Sequence, residues 1–187
     1  MPDKYQILMK IIDGITLREV LIKDAKPIYE AIKTHRDYFQ VWLPFAATLR
    51  SIKDEKLFIQ SVLSVPREQR NFTYIIEEGK QICGLIGFPA SDNANHRTEI
   101  GYWLLPEYQH RGIMTACVRY LCRYAVEERN MNRIQIRCAV GNEPSNAIPR
   151  RLGFQLEGTE RDGELMASGK YVDIHVYSIL KREIEQW

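Results

Sequence analysis

The apolar positions of this chain fall into two periodicities, two-residue alternation and three-to-four-residue spacing, and their succession predicts strands and helices in mixed order. Residues 15–22 predict a first strand, and Asp24 is placed to cap a helix that runs to about Asp37. An irregular stretch follows, with Trp42-Leu43-Pro44-Phe45 near its start. The helical pattern resumes near Asp54 and runs to about Val65, where Pro66 stops it. Residues 72–77 and 82–88 predict two strands joined by a turn at Glu78-Gly79-Lys80-Gln81. A loop around Ser91-Asp92-Asn93-Ala94-Asn95 leads into a strand over residues 97–105, stopped by Pro106.

The second half is more regular. Gly112 opens a helix that carries Ile113, Cys117, Tyr120, Leu121 and Tyr124 on one face. Residues 133–140 predict a buried strand, and residues 147–152 a short helix with Gly153 as its stop. Residues 154–157 and 171–180 supply two final strands around a loop containing Asp162-Gly163. No repeat or linker divides the chain, so residues 1–187 are expected to form a single domain of α/β (α+β) class.

Charge and composition narrow the function classes. The net charge of +2 is far from the basic excess of a dedicated nucleic-acid binder, so no direct nucleic-acid contact is expected. No apolar run approaches the ~20 residues of a membrane span, and the first ten residues lack a secretory pattern. A cytoplasmic protein without membrane contact is therefore expected. Cys83, Cys117, Cys122 and Cys138 form no C-x-x-C pair, and the four histidines are scattered; neither set predicts a metal site or a disulfide.

The segment Gln109-His110-Arg111-Gly112-Ile113-Met114 carries the first chemistry. A strand, a short turn and a helix start leave the first N–H groups of the helix without internal partners, at the positive end of its dipole. That arrangement suits a pyrophosphate, and a glycine at 112 lets the backbone approach it. His110 and Arg111 are placed to add charged donors. The same residues also fit an ordinary turn into a capped helix. Neither G-x-x-x-x-G-K-[ST] nor G-x-G-x-x-G is present, which argues against nucleoside triphosphates and dinucleotides.

Glu99-Ile100-Gly101-Tyr102-Trp103-Leu104 followed by Gln109-x-x-Gly112 resembles the acetyl-CoA signature of the GNAT N-acetyltransferases. Asn142-Glu143-Pro144-Ser145-Asn146 and then Gly153-Phe154, with Glu157-Gly158 beyond, resemble that superfamily's second CoA-side motif, in the family order. The likeness is greatest to the branch that acetylates the N-terminal alanine or serine of ribosomal proteins. Met114 departs from the broad signature, which has glycine or alanine there. The resemblance implies a twisted, mixed seven-stranded sheet flanked by about four helices, its fourth and fifth strands splayed around acetyl-CoA. It implies pantetheine pairing along Trp103, Leu104 and Leu105, pyrophosphate on residues 109–114, and CoA-side contacts from Asn142 and Asn146. It further implies an amine acceptor such as a ribosomal-protein N-terminus, and it alone suggests a homodimer. A small amine (a polyamine or an antibiotic) is the second acceptor class, and a CoA-binding sensor without catalysis the third reading.

Three residues are candidates for proton transfer. Ser145 resembles the branch's general acid toward the CoA thiolate, and it is equally placed to be the N-cap of the short helix. Glu164 matches the branch's base acting through water, or is a solvated surface charge. Glu99, expected on one strand face with Gly101 and Trp103, is the alternative base, or a partner for Arg97. Trp42, Phe45 and Tyr108 are candidates for an acceptor pocket, and Arg150 and Arg151 for the CoA 3′-phosphate or a solvated helix face.

Overall fold

The computed structural model describes residues 9–187, so the first eight residues of the expected domain lie outside the described ones. β1 (Met9–Ile12), which the sequence pattern did not predict, pairs with β2 (Ile15–Glu19). The expected strand at 15–22 ends early because a 3-10 turn, Ile22–Asp24, leads directly into α1 (Ala25–Thr34). Asp24 makes no side-chain cap there. Its carboxylate turns back to the Leu21 N–H at 2.7 Å and takes a bidentate, buried bond from Arg18 at 2.7 and 2.9 Å. The helix also stops at Thr34, short of Asp37, and the irregular stretch contains two single-turn helices, α2 (Arg36–Phe39) and α3 (Pro44–Thr48).

α4 (Ile52–Ser64) starts on a capping box in which the Ser51 hydroxyl accepts from the Asp54 N–H and Asp54 accepts from that of Ser51. β3 (Thr73–Glu78) and β4 (Gln81–Gly87) form the expected hairpin. After β5 (Ser91–Asp92), the run expected as one strand divides at Ile100 into β6 (Arg97–Glu99) and β7 (Gly101–Leu104). Then come α5 (Ile113–Glu127), β8 (Arg133–Ala139), α6 (Glu143–Arg151), β9 (Gln155–Leu165), β10 (Tyr171–Leu180) and the turn α7 (Lys181–Ile184). Four helices have nine or more residues, α1, α4, α5 and α6, and these flank the sheets.

By hydrogen bonding there are two five-stranded sheets, ordered β1-β2-β3-β4-β7 and β5-β6-β8-β10-β9, in place of one seven-stranded sheet. The reason lies at Ile100. β6 runs parallel to β8, and the Ile100 N–H still donates to the Gln135 carbonyl at 2.9 Å. From Gly101 onward the chain pairs with β4 instead, Gly101 opposite Gly87 and Leu104 opposite Gly84. β7 and the far half of β8 consequently diverge, which is the splay the resemblance implied. Gly84 permits the close β4–β7 approach, since a Cβ there would stand 2.2 Å from the Trp103 carbonyl oxygen.

Two cores lie on the two faces of the first sheet. Alternation along β7 sends Tyr102 and Leu104 to the α5 side, and Trp103 with the following Leu105 to the side of α1 and α4. β9 runs unbroken through Asp162-Gly163, expected as a loop, because a bulge opposite Asp173 absorbs the extra residues and Asp162 donates its N–H to the Asp173 carboxylate at 2.9 Å. No helix of the described residues is long and apolar enough to cross a membrane.

Candidate active site

The gap between β7 and β8 opens into a cleft of about 1140 Å³. Trp103, Leu104, Gln109, His110, Gly112, Met114, Asn142 and Ser145 all line it. The sequence had placed these residues in two separate motifs, and the fold brings them to one cavity. At its mouth, His110 (φ 58°) and Gly112 (φ 75°) both adopt left-handed backbone, curling the turn ahead of α5. The first helical bond is from the Ala116 N–H to the Gly112 carbonyl at 3.0 Å, and no backbone acceptor among the described residues takes the N–H groups of residues 110–115. A row of free donors at the positive end of a fifteen-residue helix is an anion site. β7 is the edge of its sheet, so its outer backbone groups are free to pair with an extended amide-bearing chain.

The remaining residues of the two motifs support the cavity from outside. Ile113 is an apolar anchor beneath the turn, and Leu105 gives its N–H to the Cys83 carbonyl at 2.8 Å. Arg111 is committed to Glu78 at 2.5 Å and stacks over Tyr108. Asn146 is wholly buried and its amide is fully engaged: Nδ2 donates to the Ala139 and Asn142 carbonyls, and Oδ1 accepts from His175 and Tyr177. It therefore fixes β8, α6 and β10 to one another. Of the expected pocket aromatics, Trp42 lines the cleft and packs where a Cβ on Gly141 would meet its ring at 3.2 Å, whereas Phe45 and Tyr108 lie outside it.

At the inner end, α6 begins earlier than the sequence pattern predicted. Asn142 is its N-cap, its side chain accepting from the Ser145 N–H at 3.3 Å. Ser145 is thus the third residue of the helix and not its cap, and Pro149 sits in the helix interior. The Ser145 hydroxyl lies 3.2 Å from the Cys138 thiol and 3.3 Å from the Tyr102 phenol, to which it donates. Burial holds the Tyr102 phenol well above its ordinary pKa, so it stays protonated. All four cysteines are buried and free, and burial raises their thiols, Cys117 to about 12.

The two carboxylate candidates stand on the other face of β8. Even-numbered residues of β8, Cys138 among them, are buried, while Gln135 and Arg137 project to the opposite side. Gln135 donates to Glu99 at 3.0 Å, and Arg137 donates to Glu160 on β9. Burial would lower the Arg137 guanidinium, but its bond to Glu160 and the charges of Glu160, Glu99 and Glu164 raise it. Glu99 and Glu164 therefore share the electrostatic surroundings of one cation. Glu164 is exposed on β9, opposite Val172, and neither carboxylate lines the cleft. Because the strand breaks at Ile100, Glu99 on β6 and Trp103 on β7 belong to different sheets and do not share the single strand face the sequence predicted.

Sequence reasoning missed Tyr102, Tyr38 and Arg137. Tyr38 accepts a hydrogen bond from the Gln109 side chain. The alternation of Ile100, Tyr102 and Leu104 carried the signal for Tyr102, whereas nothing local marks Tyr38. Among the described residues no group of histidine, cysteine and acidic side chains could hold a metal.

Comparison with known proteins places these features in context. Residues 15–155 match the acetyltransferase (GNAT) domain. The chain is 38% identical over 182 residues, 94% of its length and 96% of the relative's, to YdaF of Bacillus subtilis, named as a candidate ribosomal N-acetyltransferase. It is 27% identical to the ribosomal-protein-serine acetyltransferase of Escherichia coli, over 91% of this chain and 94% of that one. The crystal structure of the microcin C7 self-immunity acetyltransferase MccE, in complex with acetyl-CoA and AMP, superposes with a TM-score of 0.85 at 30% identity, covering 91% of this chain and 94% of that one.

Proposed function

This chain belongs to the GNAT acetyltransferase family and is an acetyl-CoA-dependent N-acetyltransferase, and from that premise we propose that its acceptor is the N-terminal α-amine of a protein, of the ribosomal-protein kind. The observation that carries the reading is the two-faced gap, with a hydroxyl on the helix side of β8 and carboxylates on the open side. In this reading the free N–H groups at 110–115 hold the pyrophosphate of acetyl-CoA, and the β7 edge pairs with its pantetheine. Ser145 gives a proton to the departing thiolate, and the amine enters from the face of Glu99 and Glu164.

An α-amine suits a site whose carboxylates sit outside the cleft. Its pKa is near 7.7–8.0, so ~10% or more is neutral at pH 7, against well under ~0.1% of a lysine. A carboxylate acting through water is then sufficient, and orientation supplies much of the acceleration. Transfer is direct: the cysteines are buried and protonated, and an acetylated cysteine in the intact mass of the working enzyme would contradict this.

A small-molecule acceptor is the second reading, favoured by the likeness to the microcin self-immunity enzyme. Initial rates with acetyl-CoA and equal concentrations of a seryl peptide, an alanyl peptide, spermidine and an aminoacyl nucleotide decide between them. The peptide reading expects kcat/KM highest for the peptides. The homodimer also belongs to this proposal: β9 is a sheet edge exposed nearly throughout and offers a second copy unpaired backbone. A monomer mass by light scattering would remove it.

A further inference from the structure

The open face of β8 holds a guanidinium that the fold leaves largely unused. Arg133, Gln135 and Arg137 alternate onto this face. Arg133 gives both sides of its fork to Glu157, at 2.5 and 2.6 Å, and Gln135 is bonded to Glu99. Arg137 differs from both. It donates from Nη2 to Glu160, and its side chain makes no other hydrogen bond among the described residues. Its Nε is buried without any acceptor, and no other side-chain nitrogen or oxygen of the described residues stands so. The side chain as a whole is still 31% exposed, so a molecule on this face can reach it.

A buried N–H without a partner is costly, and native structures seldom keep one without a reason. The surroundings say what partner suits this one. Arg137 stands opposite Val176 of β10, and Val176 in turn stands opposite Gly158 of β9. Gly158 adds no side chain, and a Cβ there would meet nothing within 4 Å, so the floor beside the guanidinium is low and open. The charges of Glu99, Glu160 and Glu164 all act on Arg137. Three carboxylates around one guanidinium repel a further anion and attract a cation, so the missing acceptor is a neutral oxygen carried by an amine. An α-amine has one: the N–Cα–C=O geometry puts a carbonyl oxygen ~3 Å from the nitrogen. The ε-amine of lysine and the amines of spermidine have only methylenes there.

We propose that Arg137 selects α-amines, donating its unused N–H groups to the carbonyl oxygen of the acceptor's first residue while the amine faces Glu99 and Glu164. The inference rests on the N-terminal-amine reading above and adds the group that reads the acceptor. A single bond to Glu160 anchors the guanidinium, which leaves it able to turn its unused edge toward the acceptor. Arg137 binds substrate in this role and moves no proton. A hydrogen bond from a charged donor is stronger than a neutral one, which makes the discrimination measurable.

Two peptides with a free N-terminal serine test this, identical except that sulfur replaces the oxygen of the first carbonyl in one of them. Sulfur accepts hydrogen bonds more weakly, so wild-type kcat/KM should favour the oxygen peptide by about fivefold or more. That comparison requires no variant to fold. Arg137→Lys keeps a cation beside Glu160 but loses the Nε–H and the planar fork. In Arg137→Lys and in Arg137→Ala the preference should fall to near unity, with KM for the oxygen peptide raised about tenfold. CoA affinity near the wild-type value, by calorimetry, shows that both variants are folded. Three results would overturn the assignment while leaving peptide acetylation intact: no preference in the wild type, a preference that survives in both variants, or an Arg137→Lys enzyme that behaves as wild type. A lowered kcat with KM and preference unchanged would do the same, marking a residue that only positions the carboxylates. No acetylation of either peptide by the wild type would remove the N-terminal reading, and this inference with it.

Discussion

Ser145 presents its backbone carbonyl to the Tyr102 phenol, 3.3 Å away, because Pro149 four residues on has no N–H to give it. The phenol in turn accepts the Ser145 hydroxyl, also at 3.3 Å. A proline in a helix interior thus ties α6 to β7 across the cleft and fixes the hydroxyl at its inner end. Tyr102 is on one wall of the gap and Cys138 on the other, so Ser145 is held from both strands.

That arrangement separates two roles for position 145. Ser145→Ala is expected to lower kcat by something like 10²-fold with CoA affinity near normal, the scale of a lost acid–base group. Its melting temperature should change little, because Asn142 is the cap. Asn142→Ala should instead lose about 1 kcal/mol of stability. An unchanged kcat in Ser145→Ala would rule the serine out as the acid.

Glu164 and Glu99 are distinguished by pH. Glu164→Gln should depress kcat most at low pH, where the amine is protonated, and recover as pH rises past the amine's own pKa near 7.7–8.0. A ratio of wild-type to variant activity that stays flat from about pH 6 to 9 would count against Glu164 and transfer the role to Glu99.

How much of this was legible in the sequence depends on the range of the forces involved. Gly112, Gly153 and the Pro66 stop are local events, and the structure places a left-handed helix start at Gly112 and a left-handed stop at Gly153. Asp24 fails as a cap because its carboxylate is tied back to Arg18 and the Leu21 N–H, and Ser145 because α6 already starts on Asn142, three residues earlier. The division of residues 97–105 between two sheets was illegible, since uniform alternation along a strand says nothing about which neighbour it pairs with.

Glu55 offers a test of the fold away from the site. It is buried in α4 beside α1, and burial alone raises its carboxyl to about 7. The unfolded chain ionises this group near pH 4.5 and the folded chain near 7, so the stability it contributes is full below the first value and is lost as pH rises through the second. Glu55→Gln should therefore stabilise the protein at pH 8, by up to about 2–3 kcal/mol, and by much less at pH 5. Melting curves at the two pH values check it; an equal shift at both would contradict the burial argument.

Gly112 should tolerate no acidic side chain. Gly112→Asp puts a like charge against the pyrophosphate and is expected to abolish CoA binding by calorimetry. Gly112→Ala meets no neighbour within 4 Å, so its effect is the left-handed backbone strain of about 1 kcal/mol. Undiminished CoA binding by a folded Gly112→Asp would place the pyrophosphate elsewhere.

The central claim, transfer from acetyl-CoA to a protein N-terminal amine, is tested most directly by mass spectrometry of one peptide bearing a free N-terminal serine and an internal lysine. Incubated with acetyl-CoA and the wild type at pH 7.5, the peptide should gain a single acetyl group, located by fragmentation on the α-nitrogen, and Gly112→Asp should leave it unmodified. Acetylation of the lysine in preference to the α-amine, or an unmodified peptide beside rapid turnover of spermidine or an aminoacyl nucleotide, would contradict the account.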